Sequence, residues 1–245
     1  MNKKVNKPLI ISTILCIIPM IVSFLLYGKI PEKIPTHFNL NGEAYSYGSK
    51  FFVCILLPII FCISNLFLNI LLNNDPKKQN HNKKLLNISK FIIPSMSLIF
   101  IITSILISLG FKINIEIIFS LFISILFILV GNYIPKCRQN YTIGIKLPWT
   151  LNDENNWIKT HRLAGFLWVI NGIIILITTF INKNLLFLIS INLIALTFII
   201  PCIYSFILYT KNLKEPRKIF LGSLKSAETL TYKLKTYSPI GGQSA

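Results

Sequence analysis

The stretch INIEIIFSLFISILFILVGNYI, from Ile113 to Ile134, is almost entirely apolar, and its only charged residue is Glu116. About 20 apolar residues are enough for an α-helix to cross the hydrocarbon core of a bilayer. Hydrocarbon offers no hydrogen-bond partner to the backbone, so a helix satisfies such a segment where an open strand does not. The stretch therefore predicts a membrane-spanning helix, with Glu116 placed favourably at the positive end of the helix dipole.

Five further apolar stretches lie on either side of this one. Hydrophobic residues make up 53% of the 245-residue chain and charged residues only 13%, whereas soluble domains carry about 25% charged residues. The alternating pattern of a membrane β-barrel is not found. The sequence predicts an all-α integral membrane protein with six transmembrane helices, the other five being Leu9–Tyr27, Phe51–Leu72, Phe91–Leu109, Leu163–Ile181 and Leu185–Tyr209.

The basic residues are distributed unequally between the two sides of this predicted bundle. Of the 25 Lys and Arg residues, 20 lie in the segments on one side, which include both chain ends, and five lie on the other. The positive-inside rule then predicts that both termini are cytoplasmic. The net charge of +17 is explained by this placement and by attraction to anionic lipids, so we expect no direct binding of nucleic acid.

Patterns that would indicate an enzyme or a metal site are missing from the sequence. None of the five cysteines falls in a predicted external loop, and no CxxC, HExxH, GxSxG or P-loop pattern occurs. The three histidines, His37, His81 and His161, fall on both sides of the membrane in the predicted topology. We therefore expect a protein without cofactor, metal or catalytic residues.

The most unusual segment follows the fourth helix. Between Gly131 and Arg162 the chain reads GNYIPKCRQNYTIGIKLPWTLNDENNWIKTHR, which is far more varied than a simple connector. Asn152 predicts a helix cap, with acidic residues in the first turn of a helix that continues into the fifth span. Residues at spacings of three and four share one face of that helix, and the small ones among them predict close contact with a neighbour: Trp157, His161, Gly165, Trp168 and Gly172.

The segment closely resembles the signature of the SdpI family of bacterial membrane proteins. A second segment, IPTHFNLNGEAYSYGSK from Ile34 to Lys50, resembles a small domain of unknown function that often precedes the signature. The two blocks with their flanking helices cover most of residues 1–210. The resemblance implies a first unit at 1–72, which contains the external loop 28–50, followed by a connector at 73–90. An SdpI-like four-helix region at 91–210 then contains the cytoplasmic loop 135–162. A basic tail at 211–245 follows.

The resemblance implies a bacterial cell-membrane protein that protects its own cell from a secreted toxin peptide. It also implies a second role, in which a cytoplasmic transcriptional repressor is held at the membrane. Candidate contact residues on the cytoplasmic side are Asn140, Tyr141, Gly144, Lys146, Pro148, Trp149, Thr160, His161 and Arg162. Candidate contact residues on the external side are His37, Asn39, Gly42, Tyr47 and Lys50.

Other interpretations of the same segments stay open at this point. The cytoplasmic block is equally a structural collar that anchors helix ends at the interface, and the external loop an ordered lid without a ligand. A small transporter or channel is the alternative class of function, and an envelope-stress protein without a toxin partner is another. In the second helix, Asn65, Asn69 and Asn73 recur every four residues and predict hydrogen bonds between helices.

Overall fold

The part of the chain that the structure describes contains six long apolar helices. The computed structural model describes residues 7–39, 42–181, 193 and 195–212. Each of the six helices is long and apolar enough to cross a membrane, which confirms the predicted fold class. Part of the sixth predicted span and the tail beyond residue 212 lie outside the described residues. The spanning helices are α1 (Lys7–Leu25), α2 (Leu57–Asn73), α3 (Lys83–Ser108), α4 (Ile115–Tyr133), α6 (Glu154–Ile181) and α7 (Ala195–Asn212). A π-helical segment, Phe52–Leu56, continues into α2 and completes the second span, Phe52–Asn73. The short α5 (Pro148–Asn152) lies between α4 and α6.

The outer surface of the bundle is apolar, as lipid contact requires. Phe24 in α1, Phe67 in α2 and Phe166 in α6 expose 71%, 61% and 64% of their surface. Large apolar side chains in such numbers would be unfavourable in water, whereas they match the hydrocarbon of a bilayer. The exposed faces thus support the assignment of these helices as membrane spans.

The connection between α1 and α2 folds into a β-hairpin, which the sequence analysis did not predict. Strands β1 (Lys33–Phe38) and β2 (Ala44–Ser49) pair antiparallel, with Ile34 opposite Gly48 and an irregular register after Pro35. Ile34 is fully buried and belongs to a core cluster that includes Ile101 of α3. The hairpin is thereby fixed to the helices, which a two-stranded sheet needs in order to be stable.

The third spanning helix begins earlier than the apolar stretch from Phe91 suggests. The side chain of Asn82 accepts hydrogen bonds from the backbone N–H groups of Lys84 and Leu85, so α3 begins at Lys83. The segment 73–90, expected to be a solvated connector, therefore contributes eight residues to α3. Lys90 lies within this helix, and only 4% of its surface is exposed.

Helices α4 and α6 pack with their backbones in direct contact. A Cβ atom added to Gly165 would lie 2.6 Å from the carbonyl oxygen of Gly131, and one added to Gly172 would lie 2.8 Å from that of Ser124. Such distances leave no room for any side chain, so both positions require glycine. The predicted close contact along the Gly165–Gly172 face is confirmed.

The interhelical hydrogen bonding predicted for the polar stripe of α2 is confirmed at Asn65, whereas the bond made by Asn69 stays within α2. Asn65 donates a 3.2 Å hydrogen bond from Nδ2 to Oγ of Ser12 in α1, and Asn69 donates one to the Asn65 carbonyl oxygen at 2.9 Å. Both Asn side chains are buried. Asn73 is exposed at the end of the helix. The bond between Asn65 and Ser12 joins α2 to α1. Such bonds between membrane helices stabilise the fold by about 0.6 kcal/mol each.

Candidate functional site

Two polar loops at one end of the bundle fold against each other around Asp75. Asp75 lies in the α2–α3 loop (Asn74–Asn82), and its side chain is fully buried. Its carboxylate accepts hydrogen bonds from the backbone N–H groups of Lys77, at 2.8 Å, and Tyr141, at 3.0 Å. The hydroxyl of Thr142 also donates to it, and Nε2 of His81 lies 3.0 Å away. One carboxylate thus organises both loops.

Hydrogen bonds place the pKa of the Asp75 carboxyl below its ordinary value. Burial alone raises this pKa, because a buried charge loses its hydration. The donors in contact with the carboxylate, above all the Thr142 hydroxyl and the Lys77 N–H, outweigh burial and lower it. Asp75 is therefore ionised at neutral pH and holds the loops together as an anion.

A second group of hydrogen bonds joins the α2–α3 loop to the signature block, residues 135–162. Asn80 donates from Nδ2 to the Gln139 carbonyl oxygen at 2.7 Å, and the Arg138 N–H donates to the Asn80 carbonyl oxygen at 3.2 Å. The side chain of Gln139 accepts from Nζ of Lys77 at 2.7 Å and donates to the Thr150 carbonyl oxygen at 2.9 Å. The two loops therefore form a single folded unit.

Asn140 shapes the turn at the centre of the signature block. It is completely buried, and its Oδ1 accepts from the backbone N–H groups of Thr142, at 3.0 Å, and Ile143, at 2.7 Å. Its Nδ2 donates to the Arg138 carbonyl oxygen at 2.9 Å. Because Asn140 offers no exposed group, its role in the structure is to hold the turn.

The stacked rings of His161 and Trp157 pack against this turn at Gly144. Their rings stack with centroids 3.9 Å apart, and both residues are fully buried. Nε2 of His161 accepts from the Ile145 N–H at 2.9 Å, so Nδ1 carries the proton and donates to the Trp157 carbonyl oxygen at 2.7 Å. Gly144 has φ +130°, and a Cβ there would collide with the His161 ring.

Trp149 joins the signature block to the last helix through a buried polar network. Its Nε1 donates to Oγ of Ser205 in α7 at 2.8 Å, and its ring stacks on Tyr209 with centroids 5.7 Å apart. Ser205 donates to Oδ1 of Asn156 at 2.8 Å, and Thr160 donates to the same atom at 2.9 Å. Asn156, Thr160 and Ser205 are all buried, so α5, α6 and α7 are held by one network.

The structure thus divides the nine candidate residues of this end into two sets. Asn140, Thr160 and His161 are buried in the folded unit, and Gly144 and Trp149 are partly buried in it. The others lie on its surface: Tyr141 exposes 48% of its surface, and Lys146, Pro148 and Arg162 are also exposed. The surface set offers most of the area available to a partner in this conformation, and Trp149 adds the edge that lines a cavity beside Pro148.

The five candidates at the opposite end also divide into structural and exposed residues. Asn39 exchanges hydrogen bonds with Glu43 across the hairpin turn, where Gly42 has φ +75°. Lys50 is buried, with Nζ 4.2 Å from the centroid of the Tyr27 ring. The remaining two candidates, His37 and Tyr47, are exposed on the hairpin.

Several residues of the folded unit were missed by the sequence analysis. Asp75, Asn80 and His81 lie in a loop whose many Asn and Lys residues resemble a solvated linker. The sequence feature that could have indicated their importance is that Asp75 is the only acidic residue among residues 73–90. The actual cap of α6 is Asp153, which accepts from the Asn155 N–H at 2.8 Å, and not the expected Asn152.

Comparison with known proteins identifies the relatives of this chain. The SdpI/YfhL protein family matches residues 136–205, and a domain of unknown function, DUF1648, matches residues 14–62. Immunity protein SdpI of Bacillus subtilis (strain 168) is 32% identical over 202 residues, which cover 82% of this chain and 96% of that protein. No solved structure matches the chain. By this identity over nearly the whole relative, the chain is a member of the SdpI family.

Proposed function

We propose that this protein is a membrane immunity protein that protects its own cell from a secreted antimicrobial toxin peptide. The observation that carries the proposal is its 32% identity to an immunity protein over 96% of that protein's length. The six-helix fold agrees with a role in the bacterial cell membrane. We expect protection by binding, because the polar groups of the folded unit are engaged in holding its loops and helices together.

The hairpin is the surface on which we expect the toxin to bind. It lies at the end of the bundle opposite the signature block, which the positive-inside rule predicts to be external. Tyr45 and Tyr47 expose 67% and 55% of their surface, and the rings of His37 and Tyr45 lie 6.0 Å apart. Exposed aromatic side chains on a fixed backbone favour peptide contact, since little conformational entropy is lost.

Peptide capture tests this mechanism. Membranes from cells that express the protein, or that carry an empty vector, are incubated with culture fluid containing toxin peptide from related strains. Mass spectrometry then measures the peptide left in the fluid and recovered from the membranes. We expect depletion from the fluid and recovery of intact peptide; cleaved peptide, or equal amounts with the empty vector, would contradict binding as the mechanism.

A second role in signalling is proposed for the exposed part of the signature block. Tyr141, Lys146, Pro148 and Arg162 combine aromatic, basic and rigid groups on a backbone that is fixed by the Asp75 and Trp149 networks. This combination suits a protein-binding surface. The partner expected from the family resemblance is a cytoplasmic transcriptional repressor, held at the membrane when toxin is present.

Expression from the gene's own promoter tests the signalling role. A reporter is measured with and without toxin in cells carrying the wild type, Lys146→Ala/Arg162→Ala or Lys7→Ala/Lys211→Ala. The second pair is also exposed and basic but lies outside the proposed surface. Induction should fail in the first variant alone, at unchanged membrane levels. Normal induction in the first variant would remove the proposal without affecting the immunity role.

The transporter alternative receives less support from the spans. Transporters commonly place ionisable residues near the middle of their membrane helices. In the described parts of the six spans, the acidic, basic and histidine residues lie towards the helix ends; Lys90, in the third turn of α3, and Glu116, in the first turn of α4, are examples. This pattern favours a binding protein.

A further inference from the structure

A basic cavity opens where α3 begins and α4 ends. Its volume is about 510 Å³, and its lining includes Lys83 and Lys84 from α3 together with Lys136 and Arg138 from the chain just after α4. No Asp or Glu lines it. Four cationic side chains therefore converge on one space without an acidic group among them.

These four cations have no anionic partner in the described part of the chain. The only carboxylate–cation contacts there are Lys50–Glu32 and Asp75–His81. Asp75 is the acidic residue of the adjoining loop, and its side chain is fully buried beside His81. Within the described part of the chain, the positive charge of the cavity is thus not balanced by any carboxylate.

Two of the cations are brought together around a single aromatic ring. Nζ of Lys84 and Nζ of Lys136 lie 5.4 Å and 4.9 Å from the centroid of the Tyr133 ring. Cation–π contact orients both ammonium groups, yet it does not remove the repulsion between like charges. An anion bound between them would do so.

The start of α3 adds to the positive potential. The dipole of this 26-residue helix has its positive end at Lys83. The Asn82 side chain, which also lines the cavity, accepts from two of the first backbone N–H groups but carries no charge. The helix end and the four side chains therefore favour the same type of ligand, an anion.

The location of the cavity indicates the source of the anion. Tyr133 is in the last turn of α4 and Lys83 in the first turn of α3, so the cavity lies where two membrane helices meet the interface. Basic pockets between membrane helices on the cytoplasmic side are suited to phospholipid headgroups. We propose that this cavity binds the phosphodiester headgroup of an anionic phospholipid such as phosphatidylglycerol.

The proposed contacts follow from the chemistry of each group. The phosphodiester oxygens accept charge-assisted hydrogen bonds from the lysine ammonium groups and from the planar guanidinium of Arg138. The acyl chains extend along the apolar outer faces of the bundle. A bound lipid would thus neutralise charge at the outer rim of the unit that contains Asp75 and the signature block.

Native mass spectrometry of the purified full-length protein in detergent tests the site. The protein is titrated with phosphatidylglycerol or with phosphatidylcholine of identical acyl chains, and separately with inorganic phosphate. The test variant is Lys84→Gln/Lys136→Gln. The matched control is Lys159→Gln/Lys211→Gln, which removes the same charge from exposed positions outside the cavity.

We expect the wild type and the control to retain phosphatidylglycerol in preference to phosphatidylcholine. The test variant should lose about tenfold in apparent affinity for the anionic lipid, because each basic residue contributes to such binding. Equal retention of the two lipids by the wild type would overturn the proposal. Equal loss in both variants would also overturn it, because general charge would then explain binding. Binding of phosphate without preference for the anionic lipid would show an anion site unconnected to the membrane.

Discussion

The carboxylate of Asp75, in the loop between α2 and α3, accepts a 3.0 Å hydrogen bond from the backbone N–H of Tyr141, which is 66 residues further along the chain. The same carboxylate is fully buried. This hydrogen bond joins the α2–α3 loop, whose composition is typical of a solvated linker, to the signature block. It makes this end of the bundle, which the positive-inside rule predicts to be cytoplasmic, a folded unit with its own interior.

Replacing Asp75 by Asn should destabilise this unit. The amide retains one acceptor oxygen but presents an NH₂ group to donors, so about 1–3 kcal/mol of unfolding free energy should be lost at neutral pH. Thermal unfolding of the purified protein in detergent measures the change. Glu154→Gln, at an exposed position in the first turn of α6, is the control and should cost less than about 1 kcal/mol, the usual contribution of an exposed acid at a helix start.

The lowered pKa of Asp75 also determines how the destabilisation by Asp75→Asn depends on pH. The native pKa of Asp75 lies below its ordinary value, which is about 3.9 for an unfolded chain. Its stabilising contribution is therefore fully present above that value and lost only as pH falls through the lower native pKa. The difference in unfolding free energy between wild type and Asp75→Asn should not shrink between pH 7 and pH 5; a difference that shrinks over this range would indicate a raised native pKa.

Gly144→Ala should disrupt the signature block. The new Cβ would meet the His161 ring and lie 2.8 Å from Cη2 of Trp157, at a φ of +130°. Strain and collision together should cost more than about 2 kcal/mol. Gly110→Ala separates the two effects, because Gly110 has φ +92° but no atom within 4 Å of its added Cβ. Similar losses at both positions would mean that the contact with His161 adds nothing.

Gly172→Leu should separate α4 from α6. The added Cβ would lie 2.7 Å from Cγ1 of Ile128 and 2.8 Å from the Ser124 carbonyl oxygen, and backbone atoms cannot move aside as a flexible side chain can. We expect low amounts of folded protein, measured by size-exclusion chromatography with fluorescence detection. Ile173→Leu, one residue further along and 43% exposed, should give normal amounts. A normal profile for Gly172→Leu would contradict the close packing.

Tyr45→Ser/Tyr47→Ser should reduce toxin capture without reducing stability. Both side chains are largely exposed, so their loss removes contact surface from the hairpin while leaving Ile34 in the core. Phe111→Ser alters an aromatic residue that is 59% exposed in the connection between α3 and α4, at the same end of the bundle. Capture by the tyrosine variant should fall at least about fivefold relative to this control. Equal capture would move the toxin site away from the hairpin.

The extent to which the structure follows from the sequence differs between its parts. The spans were predictable because lipid allows few backbone forms, and the contact at Gly165 was predictable from spacing alone. The hairpin was not, since the irregular register after Pro35 interrupts the alternation that indicates strands. The role of Asp75 depends on a partner 66 residues away, and local sequence contains no signal for such a pairing.

Within the candidate site, residue type indicated importance but not the kind of role. His161 and Tyr141 are both of residue types favoured at protein contacts, and on that ground both were candidate contact residues. The structure buries His161 completely and leaves Tyr141 about half exposed. Burial is set by the packing of α6 against the turn at Gly144, which is a tertiary property.

Survival of cells exposed to toxin measures the proposed immunity function itself. A sensitive bacterium expressing this protein, or carrying an empty vector, is challenged with toxin peptide secreted by related strains, with membrane levels checked by immunoblot. The immunity function predicts growth of the expressing cells at concentrations that kill the empty-vector cells. Equal killing at normal membrane levels, across the toxin peptides of these strains, would contradict it.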